Sequence, residues 1–208
     1  MSNKLKIWFL QFFTPVQKLM QGVGRSETLI TKQVVDKILM VARAGDILLS
    51  YEHQRFTSLF IKGFYKHAVL VVWYRGQLTV IEAVGDNWVN GVNEGGVRTM
   101  PLEEWLYKKD HVAIIRTSLA QSIITSAWKF ALTLLEPKRN YDYTFSHENE
   151  TIYCSELPYM CFRKFCPEFL DFIPEDKEIL PQMYLDFCSH NIVPYFEKIM
   201  DTRENLEG

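Results

Sequence analysis

Three residues of this chain have the types that acyl chemistry requires: Cys154 in "TIYCSELP", His67 at the head of "HAVLVVWYR", and Glu82 inside "LTVIEAV". A thiol nucleophile needs a histidine to take and return its proton, and a polar group to orient that histidine. Cys154 stands where a β-leaning run gives way to a helix-like one. A helix N-terminus favours a thiolate, because its unpaired N–H groups and its dipole attract negative charge. The same N–H groups could bind a developing oxyanion. Pro158 sets a limit here. It lacks an N–H, so the helix must begin close to Cys154 or be kinked.

His67 and Glu82 are brought together by hairpin arithmetic. Residues 67–75 and 78–84 are rich in β-branched and aromatic side chains and flank Arg75-Gly76-Gln77, which reads as a β-hairpin. With Arg75-Gly76 as the loop, Tyr74 lies opposite Gln77 and Val69 opposite Glu82. His67 is then one diagonal step from Glu82, about 7–8 Å away and within reach of long side chains. A loop at Gly76-Gln77 keeps the two on one face but further apart, and a three-residue loop separates them. An even-numbered loop therefore gives a base with its orienter. An ionised Glu82 between Ile81 and Ala83 is also expensive to bury unless it is paired.

Each of these residues has a plainer reading. A single cysteine in a helix is more often a small buried hydrophobe. A histidine at a strand start is commonly a satisfied structural group, and a glutamate in an apolar strand can mark an edge. The other cysteines, Cys161, Cys166 and Cys188, have no comparable surroundings and read as core or surface thiols. Cys188 and His190 are two apart and do not share a helix face. They are a weak metal signal by themselves. With four cysteines confined to the last third and no C-x-x-C pair, neither a disulfide framework nor a structural zinc site is indicated. Reduced thiols in a cytoplasm-like compartment are expected, with no metal and no cofactor.

The remaining elements must position these groups. Ser26 can cap a helix through "ETLITKQVVDKILMVARA", with Gly45 past its end. "DILLSY" (46–51) reads as a short buried strand, and "EHQRFTSLFIKGFYK" as a loop or short helix. Both faces of 67–74 are apolar, which places that strand centrally in its sheet. Residues 85–101, dense in glycine and asparagine, read as a long loop framing a cleft. A short helix follows at Leu102, Trp105 and Leu106, then a strand at 111–118. Ser118 and Gln121 form an S-x-x-Q capping box for a helix ended by Pro137. Residues 139–145 are strand or loop, "ELPYMCFRKF" is a helix, 172–182 a loop, and 184–200 one or two terminal helices. The order is an α+β pattern with a small antiparallel sheet.

Composition narrows the function classes. The chain has 208 residues, 48% hydrophobic and 14% aromatic, which is enough for one substantial core. A formal net charge of -2 gives no global case for nucleic acid. No run approaches the length of a transmembrane helix. The N-terminus, "MSNKLKIWFLQFFTPVQKLM", has a basic start and an apolar stretch broken by Gln11, with no A-x-A-like cleavage site. Trp8, Phe12, Phe13, Val16, Leu19 and Met20 fall near helical spacing beside Lys4, Lys6 and Lys18. The plainer reading is a helix covering the core or a partner subunit. The sharper one is a peripheral membrane contact through residues 4–20. Export is left open.

"AGDILLS", "KHAVLVV", "TVIEAV" followed by "GGVRTMPLEEW", and "YCSEL" together resemble the circularly permuted papain-like enzymes of the YiiX/YaeF type. These are relatives of the NlpC-type cell-wall peptidases and of lecithin:retinol acyltransferase. The resemblance spans roughly residues 44 to 165. The histidine strand precedes the cysteine helix, the permuted order. It implies a permuted papain-like (NlpC-type) α+β fold, with a small antiparallel sheet or half-barrel against helices. It implies an N-terminal extension (1–24) and a single catalytic domain (25–208). By position Cys154 would be the nucleophile, His67 the general base and acid, and Glu82 the orienting residue. Gly45-Asp46 would form a turn. The implied reaction is thiol-based acyl chemistry on a small peptide, amino-acid-containing or lipid substrate. Three readings stand: an amide hydrolase, a lipid-acting acyltransferase or esterase at a membrane surface, and a non-catalytic ligand-binding module.

Overall fold

The computed structural model describes residues 30–52, 61–85, 88–89, 92–93, 95–136, 139–143, 151–174, 177–190 and 192–204. The expected extension at 1–24, the membrane-contact reading of 4–20, and the Ser26 cap lie outside these residues.

The architecture is α+β. Helix α1 (Lys32–Val41) leads into strand β1 (Ile47–Tyr51), and the hairpin follows as β2 (His67–Tyr74) and β3 (Gln77–Val84). A two-stranded ribbon, β4 (Trp88–Val89) with β5 (Val92–Asn93), precedes β6 (Gly96–Pro101) and the short helix α2 (Leu102–Leu106). Next come β7 (His111–Thr117), α3 (Gln121–Thr133), α4 (Glu156–Arg163), α5 (Pro181–Ser189) and β8 (Phe196–Asp201). Six strands form one antiparallel sheet in the order β6-β3-β2-β1-β7-β8.

Both faces of that sheet are covered. One face, carrying Ile47, Leu49, Ala68, Leu70 and Ile81, packs beneath α3, α4 and α5. The other, with Leu48, Val69, Val71 and Val80, packs beneath α1 and α2. Alternation along β2 puts His67 on the α1–α2 face with Val69 and Val71. Glu82 joins it there with Val80. The β2–β3 turn is the two-residue Arg75-Gly76 loop, with φ of 49° and 81° and Tyr74 paired to Gln77. Both values are positive, the geometry of the hairpin turn that matches strand twist.

Four sequence expectations need correction. Helix α1 starts at Lys32, and Thr31 caps it by accepting from Val34 N–H at 3.4 Å; Ile30 and Thr31 are not helical. Helix α3 starts at Gln121 after Ala120, with no side-chain cap; the backbone N–H of Ser118 donates instead to Tyr195 C=O. The 85–101 segment is not all loop, because 96–101 forms the edge strand β6. The last segment holds one helix followed by strand β8, whose Asp201 accepts from the buried Tyr65 hydroxyl at 2.6 Å.

A charged staple fastens the start of β1. Asp46, 1% exposed, takes both Arg116 Nε and Nη2 at 2.8 Å, and also Arg43 N–H at 2.7 Å. Arg116 Nη2 reaches Val41 C=O at 2.7 Å, tying the α1 terminus to β7. Gly45 has φ +100°, and a Cβ there would come within 2.2 Å of Ile124 Cγ2. The Gly45-Asp46 pair is therefore a structural turn. Arg116→Ala leaves Asp46 buried without its counter-charge, at a cost of about 3 kcal/mol. For a chain of this size that lowers Tm by about 6–12 °C in a thermal melt. Gly45→Ala should act in the same direction, and the folded fraction of either variant should keep its Cys154 reactivity.

Candidate active site

The site is built around a carboxylate that has no access to water. Glu82 is 1% exposed, and both of its oxygens are occupied. Oε2 accepts from His67 Nε2 at 2.8 Å and from Trp105 Nε1 at 3.1 Å. Oε1 accepts from Arg98 Nε at 2.9 Å, and Arg98 Nη2 lies 2.9 Å from the same oxygen in an ion pair. Arg98 lies directly opposite Glu82 in the β3–β6 ladder, and Trp105 is carried by α2. Lys109 is buried nearby with Nζ 4.6 Å from the Trp105 ring centre and is ion-paired to Glu52. Burial alone would push the Glu82 carboxyl up. Hydrogen bonding to His67 and the charges of His67, Lys109 and Arg98 hold it well below the usual carboxylate range.

His67 is the first residue of β2, and Cys154 comes from the opposite layer, in the turn that leads into α4. They meet at the end of the strand. The β2–β3 ladder stops at Leu70↔Ile81, and the Ala68 N–H just beyond it serves the Cys154 sulfur. The His67 imidazole interacts with the thiol as well as with Glu82, and both raise its proton affinity. With Nε2 on the carboxylate, Nδ1 is the ring nitrogen left to exchange a proton with sulfur. Burial works against both charged forms. It would raise the thiol and lower the imidazole, but each group's partners outweigh it. Cys154 is held below an ordinary thiol by His67 and Ala68 N–H, and His67 is held above an ordinary histidine by Cys154 and Glu82.

Local structure explains the position of the sulfur. Helix α4 begins at Glu156 with Ser155 as its cap residue, so Cys154 lies just ahead of the first turn. Pro158 falls in that first turn, where a backbone N–H has no intrahelical partner to lose. The first helical bond is Leu157 N–H to Tyr153 C=O, 3.3 Å. Glu156 in the first turn and Arg163 in the last both suit the helix dipole. The residues after 165, beyond the expected resemblance, anchor this loop. Ser155 Oγ donates to Ile179 C=O at 2.6 Å, Tyr184 hydroxyl donates to Ser155 C=O at 2.8 Å, and Ile179 N–H donates to Tyr153 hydroxyl at 3.0 Å.

Other sequence candidates lie elsewhere. Cys161 is wholly buried in the core and its thiol is pushed up by burial. Burial and Glu168 push Cys166 up, and burial pushes Cys188 up to about 11. Cys188 Sγ bonds Tyr184 C=O and His190 Nδ1 pairs with Asp186 C=O, each with its own partner. Tyr51, the last residue of β1, stacks on Phe64 with ring centres 4.7 Å apart. Arg98 and Trp105 are the partners that sequence reasoning missed. The signal was present in Glu82 itself, since a buried carboxylate demands counter-charge and donors. A consequence follows for reactivity. At neutral pH Cys154 should alkylate with iodoacetamide at least tenfold faster than Cys161, Cys166 or Cys188, read by peptide mass spectrometry; equal rates would contradict this geometry.

Comparison with known proteins agrees with the architecture. Residues 41–178 match the family described as permuted papain-like amidase enzyme, YaeF/YiiX. No curated protein matches the chain. Among solved structures it is similar to the crystal structure of metalloprotein yiiX from Escherichia coli O157:H7, with a TM-score of 0.54 and 19% identity over 76% of this chain and 96% of that one. "Metalloprotein" describes that neighbour; among the described residues here, no group of three or more His, Cys, Asp or Glu side chains is arranged to hold a metal ion. With two thirds of its length matched and its histidine strand preceding its cysteine helix, the chain belongs to the permuted papain-like amidase family, a family of thiol hydrolases.

Proposed function

We propose that the chain cleaves an amide bond through a thioester on Cys154, with His67 as general base and acid and Glu82 as its orienter. The observation that carries this reading is the buried 2.8 Å hydrogen bond between His67 and Glu82, with the Cys154 thiol on the same imidazole and the two groups shifting each other's titration. Transfer of the thiol proton to His67 Nδ1 gives a thiolate–imidazolium pair. The thiolate attacks the amide carbon and a C–S bond forms. The oxygen takes up negative charge beside the N–H groups at the head of α4. As the C–N bond breaks, the imidazolium gives its proton to the departing amine. Water, deprotonated by His67, then attacks the thioester, and the acid product leaves with the thiol restored.

The carboxylate stays ionised throughout. Its role is to hold Nε2–H and so keep Nδ1 in the tautomer that accepts from sulfur. Family membership favours water as the acceptor, and the geometry would serve an amine or alcohol equally well. The substrate is a small amide, either a peptide, a peptidoglycan fragment or a lipid-linked amide.

Turnover of an amide panel tests this. Cys154→Ala should abolish hydrolysis, and His67→Ala should reduce kcat/KM by about 10²–10⁴-fold, the usual worth of a positioned acid–base group. Retained turnover in Cys154→Ala would overturn the reading. The pH profile follows from the two shifts. The thiolate appears below the ordinary thiol value of about 8.5, and the imidazolium survives above the ordinary histidine value of about 6.5. The active ion pair should therefore give a bell-shaped kcat/KM that spans neutrality, its acid limb set by Cys154 and its alkaline limb by His67. His67→Ala should remove the alkaline limb and move the acid limb upward.

A further inference from the structure

The carboxylate of this site is not left as a bare negative charge. Glu82 is opposite Arg98 in the strand register, and the guanidinium donates to Oε1 from Nε at 2.9 Å with Nη2 in ion-pair contact at 2.9 Å. The other oxygen, Oε2, is divided between His67 and Trp105. Lys109, ion-paired to Glu52, adds a second positive charge that acts on Glu82. Cys–His pairs elsewhere are oriented by a neutral amide, as in the Cys-His-Asn arrangement. A bare carboxylate would do something different. It would bind the imidazolium more tightly and make its proton harder to release to a leaving amine.

Resting on the proposed reaction, we propose that Arg98 is a positioning residue of the triad: it fixes Glu82 and offsets part of its charge, so that the carboxylate raises the proton affinity of His67 less than a bare carboxylate would. Geometry supports both parts. The two Arg98 nitrogens lie on the oxygen that His67 does not use, so the guanidinium offsets charge without competing for Oε2. The guanidinium keeps its charge at any working pH. Its side chain is 24% exposed against 1% for Glu82, so it closes the carboxylate off at the edge strand β6. Trp105 contributes a donor but no charge and completes the enclosure from α2. The ionisable groups that face His67 and its carboxylate are Cys154 from the α4 turn, Glu82 from β3, Arg98 from β6, and Lys109 with Glu52 from the ends of α2 and β1.

The sign of the effect is fixed by electrostatics. In Arg98→Gln the uncompensated carboxylate favours the imidazolium and disfavours the thiolate. Both limbs of the Cys154–His67 titration should move to higher pH, the alkaline limb by about one unit, a tenfold change in proton affinity. Alkylation of Cys154 by iodoacetate over a pH series reads this in the full chain without any substrate. The reagent is an anion, so its rate rises as the thiolate forms and falls as His67 loses its proton. Arg98→Lys retains the charge and should restore the wild-type limbs. Glu82→Gln/Arg98→Gln replaces the charged pair by neutral groups and should place the alkaline limb at or below the wild-type position. If Arg98→Gln does not fold, the lysine and double variants still decide. An unshifted alkaline limb in Arg98→Gln, a lysine variant that titrates unlike the wild type, or a double variant shifted upward would each overturn the role of Arg98. Failure of the underlying reaction looks different: a wild-type profile without a His67 limb, unaffected by His67→Ala.

Discussion

A carboxylate sealed inside a sheet covered on both faces has to find its donors within the protein. Glu82 is that carboxylate, and much of the surrounding structure can be understood as supplying it. The two-residue turn sets the β2–β3 register so that His67 falls on the same face. The β3–β6 ladder sets Arg98 directly opposite. The α2 helix, held down by Leu102, Trp105 and Leu106, delivers the indole N–H and closes the face. Removal of any one of these leaves a buried charge short of a partner. The proposed orienting group of the site is thus also a folding constraint on three strands and a helix.

Cys154, the proposed nucleophile, is supplied from the other layer. Helix α4 packs with α3 and α5 on the opposite face, and its leading turn brings Cys154 round the end of β2, where the β2–β3 ladder has already stopped. Pro158 is compatible with this because it lies in the first turn. It marks the helix start instead of breaking the helix. The loop is then held from behind by Ile179 and by Tyr184 of α5. This explains why residues well beyond the chemical motif belong to the same core. Thiolate and imidazolium are each disfavoured by burial and each favoured by the other, so the pair forms only if both layers are correctly docked.

Much of this arrangement could be read from residues alone. The β2–β3 hairpin combines β-branched runs with a turn of Arg75-Gly76, and that turn length alone places His67 and Glu82 on one face. The helix after Cys154 and the short α2 helix were visible from their apolar spacing. Other parts were hidden for identifiable reasons. Strand β6 was masked by the glycines and asparagines before it, so Arg98 was read as part of a loop and its pairing with Glu82 was lost. Strand β8 follows a helix directly, and its Phe196, Ile199 and Met200 gave no clean alternation. Ser118 offered capping-box chemistry that the tertiary structure uses differently, since its backbone pairs with Tyr195. In each case a long-range contact overrode a local preference.

The central claim is that Cys154 and His67 form an ion pair at neutral pH. The most direct measurement is the ultraviolet thiolate absorbance of the folded full chain, titrated with pH and compared with Cys154→Ser. The account predicts one thiolate's absorbance already present at neutral pH, absent in Cys154→Ser and lost from the neutral range in His67→Ala. A wild-type chain whose first thiolate appears only at or above the ordinary thiol range of about 8.5 would contradict it.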